Sequence, residues 1–223
     1  MECEKRSCID CALAGCGESG GKGKHPQFCE SVEVSADERA EMIDAYQGED
    51  LKIMQAATQT CSRTGRDGLC RVEETMDFAA RMGYHKIGIA NCGALQREAL
   101  AAAKIFRLHG FEVFGASCKF ASLTYDDFGC NEKLGVNPNS IACNPIIQAR
   151  RLNEWGSELN VILGLCVGHD TLFMKHAEAP CTYLVVKDRI LANNPGAALN
   201  CCDQPAYAWN RLMREGDPLG QNN

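Results

Sequence analysis

The sequence lacks any apolar run approaching the roughly 18 residues of a membrane-spanning helix, so no membrane association is expected. It lacks an excess of base as well: 23 Lys and Arg face 29 Asp and Glu, for a net charge of -6. Nucleic-acid binding draws on a concentrated positive field, and no nucleic-acid partner is expected. The opening residues, Met1 to Arg6, hold no apolar stretch of the secretory type, which points to the cytoplasm. There is no P-loop and no dinucleotide-binding glycine pattern; the one glycine beside a strand-to-helix turn is in Cys92-Gly93. No repeat recurs along the chain.

Cysteine is what the chain has in abundance, 15 in 223 residues. In a reducing compartment such a count argues for metal binding or redox chemistry over disulfide staples. Apolar residues make up 45% and charged residues 23%, enough for a normal core over most of the chain. The exception is the start. Residues 1–34 crowd Cys3, Cys8, Cys11, Cys16 and Cys29 among glycines with almost no aliphatic run. Such a segment cannot bury a core, so it reads as a small metal-binding module. Cys8-x-x-Cys11 offers two thiolates from one tight turn, and the other three can complete four, with one of Cys16 and Cys29 surplus. The spacing departs from the bacterial ferredoxin run and admits either zinc or a four-iron cluster.

Residues 35–223 read as an α/β domain with a helical lead-in over 35–83. Ser35 and Glu38 have the spacing of a capping box, and helices are expected to about Tyr46, over Glu49–Thr60 and over Asp67–Met82. The period then changes. Apolar strands at Lys86–Ala90, Glu112–Ala116, Asn160–Leu165 and Tyr183–Val186 alternate with helices at Leu95–His109, Pro145–Trp155 and Asp170–His176. A terminal helix over Gln204–Arg214, capped by Asp203, closes the reading. This alternation predicts a three-layer α/β fold with a mainly parallel sheet of about four strands, Rossmann-like or flavodoxin-like.

Such sheets bind ligands beyond the carboxyl ends of their strands. Cys92, Cys118 and Cys166 stand at three of those ends, and Cys143 precedes the helix opened by Pro145. Four thiolates at one edge suit soft metal, first of all an iron–sulfur cluster of the 4Fe-4S type, with zinc second. Whether three or four of them bind is left open. Beside Cys166, His169 and Asp170 are the candidate acid–base residues; an N-cap role for Asp170 is the alternative. Lys187 and Arg189 are candidate substrate contacts at the same edge. The aperiodic stretch Phe120–Ala142 reads as a lid. Two functions follow: redox or Lewis-acid chemistry on a small-molecule substrate, with an electron-transfer partner in the redox version, or a non-catalytic zinc-binding sensor or metal-delivery protein.

Several strings also resemble one family: Cys8-Ile9-Asp10-Cys11, Ile87-Gly88-Ile89-Ala90-Asn91-Cys92, Cys118-Lys119, Cys143-Asn144-Pro145, Gly164-Leu165-Cys166-Val167-Gly168-His169-Asp170 and Lys187-Asp188-Arg189. They are similar to the DUF1847 family of cysteine-rich bacterial and archaeal proteins. The resemblance implies metal binding through the N-terminal cysteines and supplies no reaction; Lys119, beside Cys118, stands with Lys187 and Arg189 as a candidate substrate contact. A His-Asn-Pro string of that family stands here as Asn193-Asn194-Pro195, which leaves no histidine for catalysis at that place.

Overall fold

The computed structural model describes residues 6–18, 23–62 and 68–213. Cys3 and the proposed helix start at Asp67 lie outside them. The chain divides into two compact units, Met1–Gln55 and Ala56–Asn223.

In the first unit, short 3-10 turns over Cys8–Asp10, Gly15–Gly17 and Glu30–Val32 precede helix α1 (Ala36–Asp44). Ser35 caps α1 as its spacing predicts, its hydroxyl accepting from the Glu38 amide at 3.1 Å. Helix α2 (Gly48–Cys61) begins here and runs across the boundary between the units. Among the described residues up to Gln55, Gly15 alone is buried. With no apolar interior among its described residues, this unit has little to offset the entropy of ordering its chain.

The second unit carries the sheet. Helix α3 (Arg71–Met82) starts four residues later than its apolar pattern suggests, because Cys70 takes the N-cap: Glu73 accepts from the Cys70 amide at 2.8 Å. Then follow β1 (Lys86–Asn91), α4 (Gln96–Leu108), β2 (Glu112–Ser117), α5 (Pro145–Trp155), β3 (Leu159–Leu163), α6 (His169–His176), β4 (Cys181–Val185) and α7 (Gly196–Cys201). All four strands are parallel in the order β2-β1-β3-β4, which bears out the three-layer α/β reading.

Alternation along the strands builds the two outer layers. Ile87 and Ile89 of β1 and Leu159, Val161 and Leu163 of β3 pack with Ala99, Ala102 and Phe106 of α4 and Ala79 of α3. Ala90 and Ile162 face the other way, onto Ala149 and Leu152 of α5 and Phe173 of α6. The chain leaves β1 over the first layer and returns from β2 over the second. The connections therefore diverge between β1 and β3, the point where open α/β sheets form a crevice.

The terminal α-helix expected over Gln204–Arg214 does not form. A 3-10 turn spans Ala208–Met213 and Arg214 lies outside the described residues. Pro205 disfavours a helical Gln204, so the chain turns until Ala208 and Asp203 has no helix to cap.

Candidate metal centre

Register brings the first two thiols together. Parallel pairing sets Asn91 beside Ser117, so the next residues, Cys92 and Cys118, emerge from adjacent strands at one level. The ladder continues through them: the Cys92 amide donates to the Leu163 carbonyl at 3.0 Å and the Cys118 amide to the Asn91 carbonyl at 2.9 Å. Cys143 is drawn in by its neighbour, since the Asn144 amide donates to the Cys118 carbonyl at 2.8 Å. Asn144 also caps α5, its side chain accepting from the Ile147 amide at 3.2 Å. Cys166 arrives from β3 through Gly164, whose φ of +62° turns the chain. The Cys166 carbonyl accepts from the His169 amide at 2.9 Å and the Asp170 amide at 3.1 Å, which starts α6.

The thiols lie close enough to interact. Cys118, only 3% exposed, accepts from the Gly93 amide at 3.3 Å. The Cys143 thiol first, then the Gly93 amide, the Cys92 thiol and the Lys119 charge outweigh burial and bring the Cys118 thiol from an ordinary 9.0 to about 5. Cys143 moves the other way, pushed up by its interaction with Cys118, by burial and by the negative charge of Cys118, with Cys166 adding to the repulsion. Two cations complete the edge. Arg189 donates from Nη2 to Cys166 Sγ at 2.9 Å, and Lys187 donates from Nζ to Cys92 Sγ at 3.6 Å. The site is thus a set of converging thiols with one hydrogen-bonded thiolate and two cations against its sulfurs.

This pairing has a pH signature in the metal-free protein. The folded chain gives up the Cys118 proton near pH 5, while the unfolded chain keeps it to about pH 9. The contribution of Cys118 to folding stability therefore rises between about pH 5 and 9 and is lost as the pH falls through 5. Above pH 9 the unfolded chain also ionises Cys143, which the fold holds protonated, and stability declines. Urea midpoints of metal-free protein across pH 5–10 are expected to trace this rise and fall, and Cys118→Ser to flatten the rising limb. An unchanged profile in the variant would assign the effect elsewhere.

Of the other candidate residues, Asp170 and Lys119 take definite partners. Asp170 does not cap α6, whose N-cap is Gly168. Its carboxylate accepts from the Thr171 amide at 2.7 Å and from the Tyr183 hydroxyl at 2.8 Å; burial and this carboxylate push the Tyr183 phenol up. His169 sits in the first turn of α6, half-buried, and its ring makes no hydrogen bond among the described residues. The Lys119 ammonium donates to the Ile141 carbonyl and lies 6.0 Å from the centre of the Tyr125 ring. It thereby ties down the segment read as a lid. That segment is ordered by 3-10 turns and closed at its base by an antiparallel bridge, Thr124 to Ile141.

Sequence reasoning missed Gln148. Fully buried in α5, it donates to the Asn91 and Ala116 carbonyls at 3.1 and 2.6 Å, clamping the ends of β1 and β2 beneath the thiols. Its Oε1 has no partner among the described residues. The signal was a polar residue in the apolar stripe of a helix, which spacing alone cannot separate from a boundary position.

In the first unit, Cys8, Cys11, Cys16 and Cys29 line a single cavity of about 140 Å³. Ser7 and Asp10 close the turn that carries Cys8 and Cys11, the Ser7 amide donating to Asp10 Oδ2 at 2.7 Å. The backbones of Gly15 and Gly23–Lys24 pass so closely that a Cβ on either glycine would collide with the other segment. That crossing brings Cys16 toward His25, a second residue the sequence did not single out. His25 also lines the cavity, with Nδ1 3.6 Å from Cys29 Sγ.

Both donor sets suit soft or borderline metal in kind. Among the described residues, no three His, Cys, Asp or Glu side chains are arranged around the centre of a single ion. No helix among them is long and apolar enough to cross a membrane.

Comparison with known proteins agrees with the family resemblance, though the strings at Cys8–Cys11 and Lys187–Arg189 lie outside the span matched by the family model. An uncharacterized protein of Methanocaldococcus jannaschii is 46% identical over 129 residues, 58% of this chain and 66% of the relative's own length, just under two thirds. The family model described as "Protein of unknown function (DUF1847)" matches residues 29–184, a span that includes Cys29 and all four strand-edge cysteines but stops short of Lys187 and Arg189. The chain belongs to the DUF1847 family.

Proposed function

We propose that the protein is an iron–sulfur protein in which Cys92, Cys118, Cys143 and Cys166 hold a 4Fe-4S cluster for redox or Lewis-acid chemistry on a small molecule. One observation carries this reading: four thiols from separate parts of the chain converge at the crevice of the sheet with cations on two of them. Such a cluster supplies one-electron transfer, or an open Lewis-acidic iron where three thiolates bind. The chain's own groups prepare the place. The Gly93 amide and its sulfur neighbours hold Cys118 as thiolate, Gln148 fixes the strand ends, and Tyr183 orients Asp170. His169 serves as proton carrier, its ring uncommitted among the described residues and beside Cys166 in sequence.

The zinc reading has its own support in the first unit. A coreless fold closed around Cys8, Cys11, Cys16, Cys29 and His25 fits a structural site, and a mixed nitrogen–sulfur set favours zinc there. In its pure form this reading makes the protein a non-catalytic sensor or delivery protein.

Anaerobic purification followed by iron, zinc and acid-labile sulfide assays separates the two. The iron–sulfur reading expects brown protein with sulfide close to iron and an EPR signal on reduction. Colourless protein with zinc and no sulfide would defeat it in favour of the zinc protein.

A further inference from the structure

The segment that leaves β4 holds its two cations in an unusual way. Lys187 and Arg189 stand two residues apart and both reach sulfur, Cys92 at 3.6 Å and Cys166 at 2.9 Å. Between them Asp188 is turned to other work. Its Oδ1 accepts from the Ile190 and Leu191 amides at 2.9 and 2.7 Å, and its amide donates to Asn193 Oδ1 at 3.2 Å. The Asn193 amide donates back to the Asp188 carbonyl at 2.8 Å. Ala192 and Asn193 adopt positive φ, 51° and 63°, a conformation that costs a non-glycine residue energy and that the Asp188–Asn193 clasp holds in place. The only acid of the triplet is thereby spent on the turn. Among the described residues, neither Lys187 nor Arg189 has a carboxylate partner within 4 Å.

A substrate-anchoring cation would be directed at open space or held ready by a carboxylate. These two are directed at the ligand atoms themselves. We infer that Lys187 and Arg189 are counter-charges of the thiolate site that set its reduction potential, rather than contacts for substrate. The inference rests on the iron–sulfur reading. Four thiolates around such a group leave it net negative, and a one-electron reduction adds another negative charge, the electron coming from a low-potential one-electron reductant such as dithionite, with no bond made or broken in the protein. Fixed positive charge within hydrogen-bond reach of two of the sulfurs favours the reduced form and raises the potential.

The test is a redox titration, followed by EPR, of anaerobically purified full-length protein and its Lys187→Gln and Arg189→Gln variants. Each loss of charge is expected to weaken reduction about tenfold, a fall in midpoint of about 59 mV for a one-electron couple, with iron and sulfide unchanged. Lys187→Arg and Arg189→Lys are expected to keep the midpoint. If both Gln variants lose the cluster while both conservative variants keep it with the parental midpoint, charge is again what the site requires. An unmoved midpoint in the Gln variants with the cluster intact overturns this inference and leaves the iron–sulfur reading standing. Loss of the cluster in the conservative variants overturns it as well, since shape rather than charge then governs. Parental protein without iron and sulfide defeats the iron–sulfur reading, and this inference falls with it.

Discussion

Cys118→Ala is expected to remove all strand-edge iron and sulfide while leaving the chain folded. Cys118 is the hub of the thiol group: its sulfur interacts with those of Cys143 and Cys92, receives the Gly93 amide and lies within the field of Lys119. Without it, the Gly93 amide loses its acceptor and Cys143 the partner that fixes its proton. The packing loss is small by comparison, about 0.5–1.5 kcal/mol, as for deleting one buried heavy group, and leaves most of a domain's typical stability of about 5–15 kcal/mol. Metal bound by the first unit is expected to survive, so residual metal should fall to that level and carry no sulfide if it is zinc. Cys130→Ala is the control, because Cys130 lies in the 120–142 segment and its thiol's one hydrogen bond among the described residues goes to the nearby Phe128 carbonyl. Full iron and sulfide in Cys118→Ala would remove Cys118 from the ligand set and, with it, the geometric basis of the proposal.

The largest packing penalty is expected from Gly164→Ala. Two penalties combine there. At φ +62° an L side chain costs about 1–2 kcal/mol, and an added Cβ would meet Leu95 Cδ2 at 2.7 Å and Cδ1 at 3.0 Å. Leu95 is buried in the first core layer and cannot withdraw without opening a void; overpacking of this kind costs about 1–3 kcal/mol. The sum, about 2–5 kcal/mol, should appear as a lower urea midpoint with an unchanged slope. Gly164 lies two residues before Cys166, and Leu95 three residues after Cys92. The contact therefore sets the spacing of two cysteine-bearing loops, and loss of bound iron should accompany the loss of stability. Gly93→Ala is the comparison, since a Cβ there meets nothing closer than Ser117 Oγ at 3.8 Å. Equal destabilisation by both substitutions would rule out the contact with Leu95 as the cause.

The strands were legible because they are short apolar runs between breakers, and three of the four cysteine positions followed from strand ends alone. Cys143 was legible only through Pro145, which marks a helix start without saying where that start sits in space; the Asn144–Cys118 hydrogen bond answers that. Lys187 and Arg189 were placed at the correct edge, but their targets were not readable, because a charge pattern does not reveal that Asp188 is tied into a turn. His25 and Gln148 escaped notice for the same reason. One depends on a crossing of two glycine backbones and the other on the stacking of α5 under the sheet, and both are tertiary facts with no local periodicity. The terminal helix failed on Pro205, a local signal that the apolar count outweighed.

The stems of the 120–142 segment are fastened to each other and to the sheet. Asn144 bonds to Cys118, Ala142 donates to the Leu123 carbonyl at 2.8 Å, and Thr124 bridges Ile141. Cys118 and Cys143 are therefore neighbours whatever the length of chain between Thr124 and Ile141. Doubling a loop costs only about 0.6 kcal/mol in closure entropy, so this tip can lengthen, shorten or be replaced without moving either sulfur. The interval between these two cysteines is consequently a poor ruler for finding the same site in other chains; a better one is the pair of short strings around them, Cys118-Lys119 and Cys143-Asn144-Pro145, with any spacer allowed. The same freedom makes the tip a natural place to graft a reporter peptide next to the thiols.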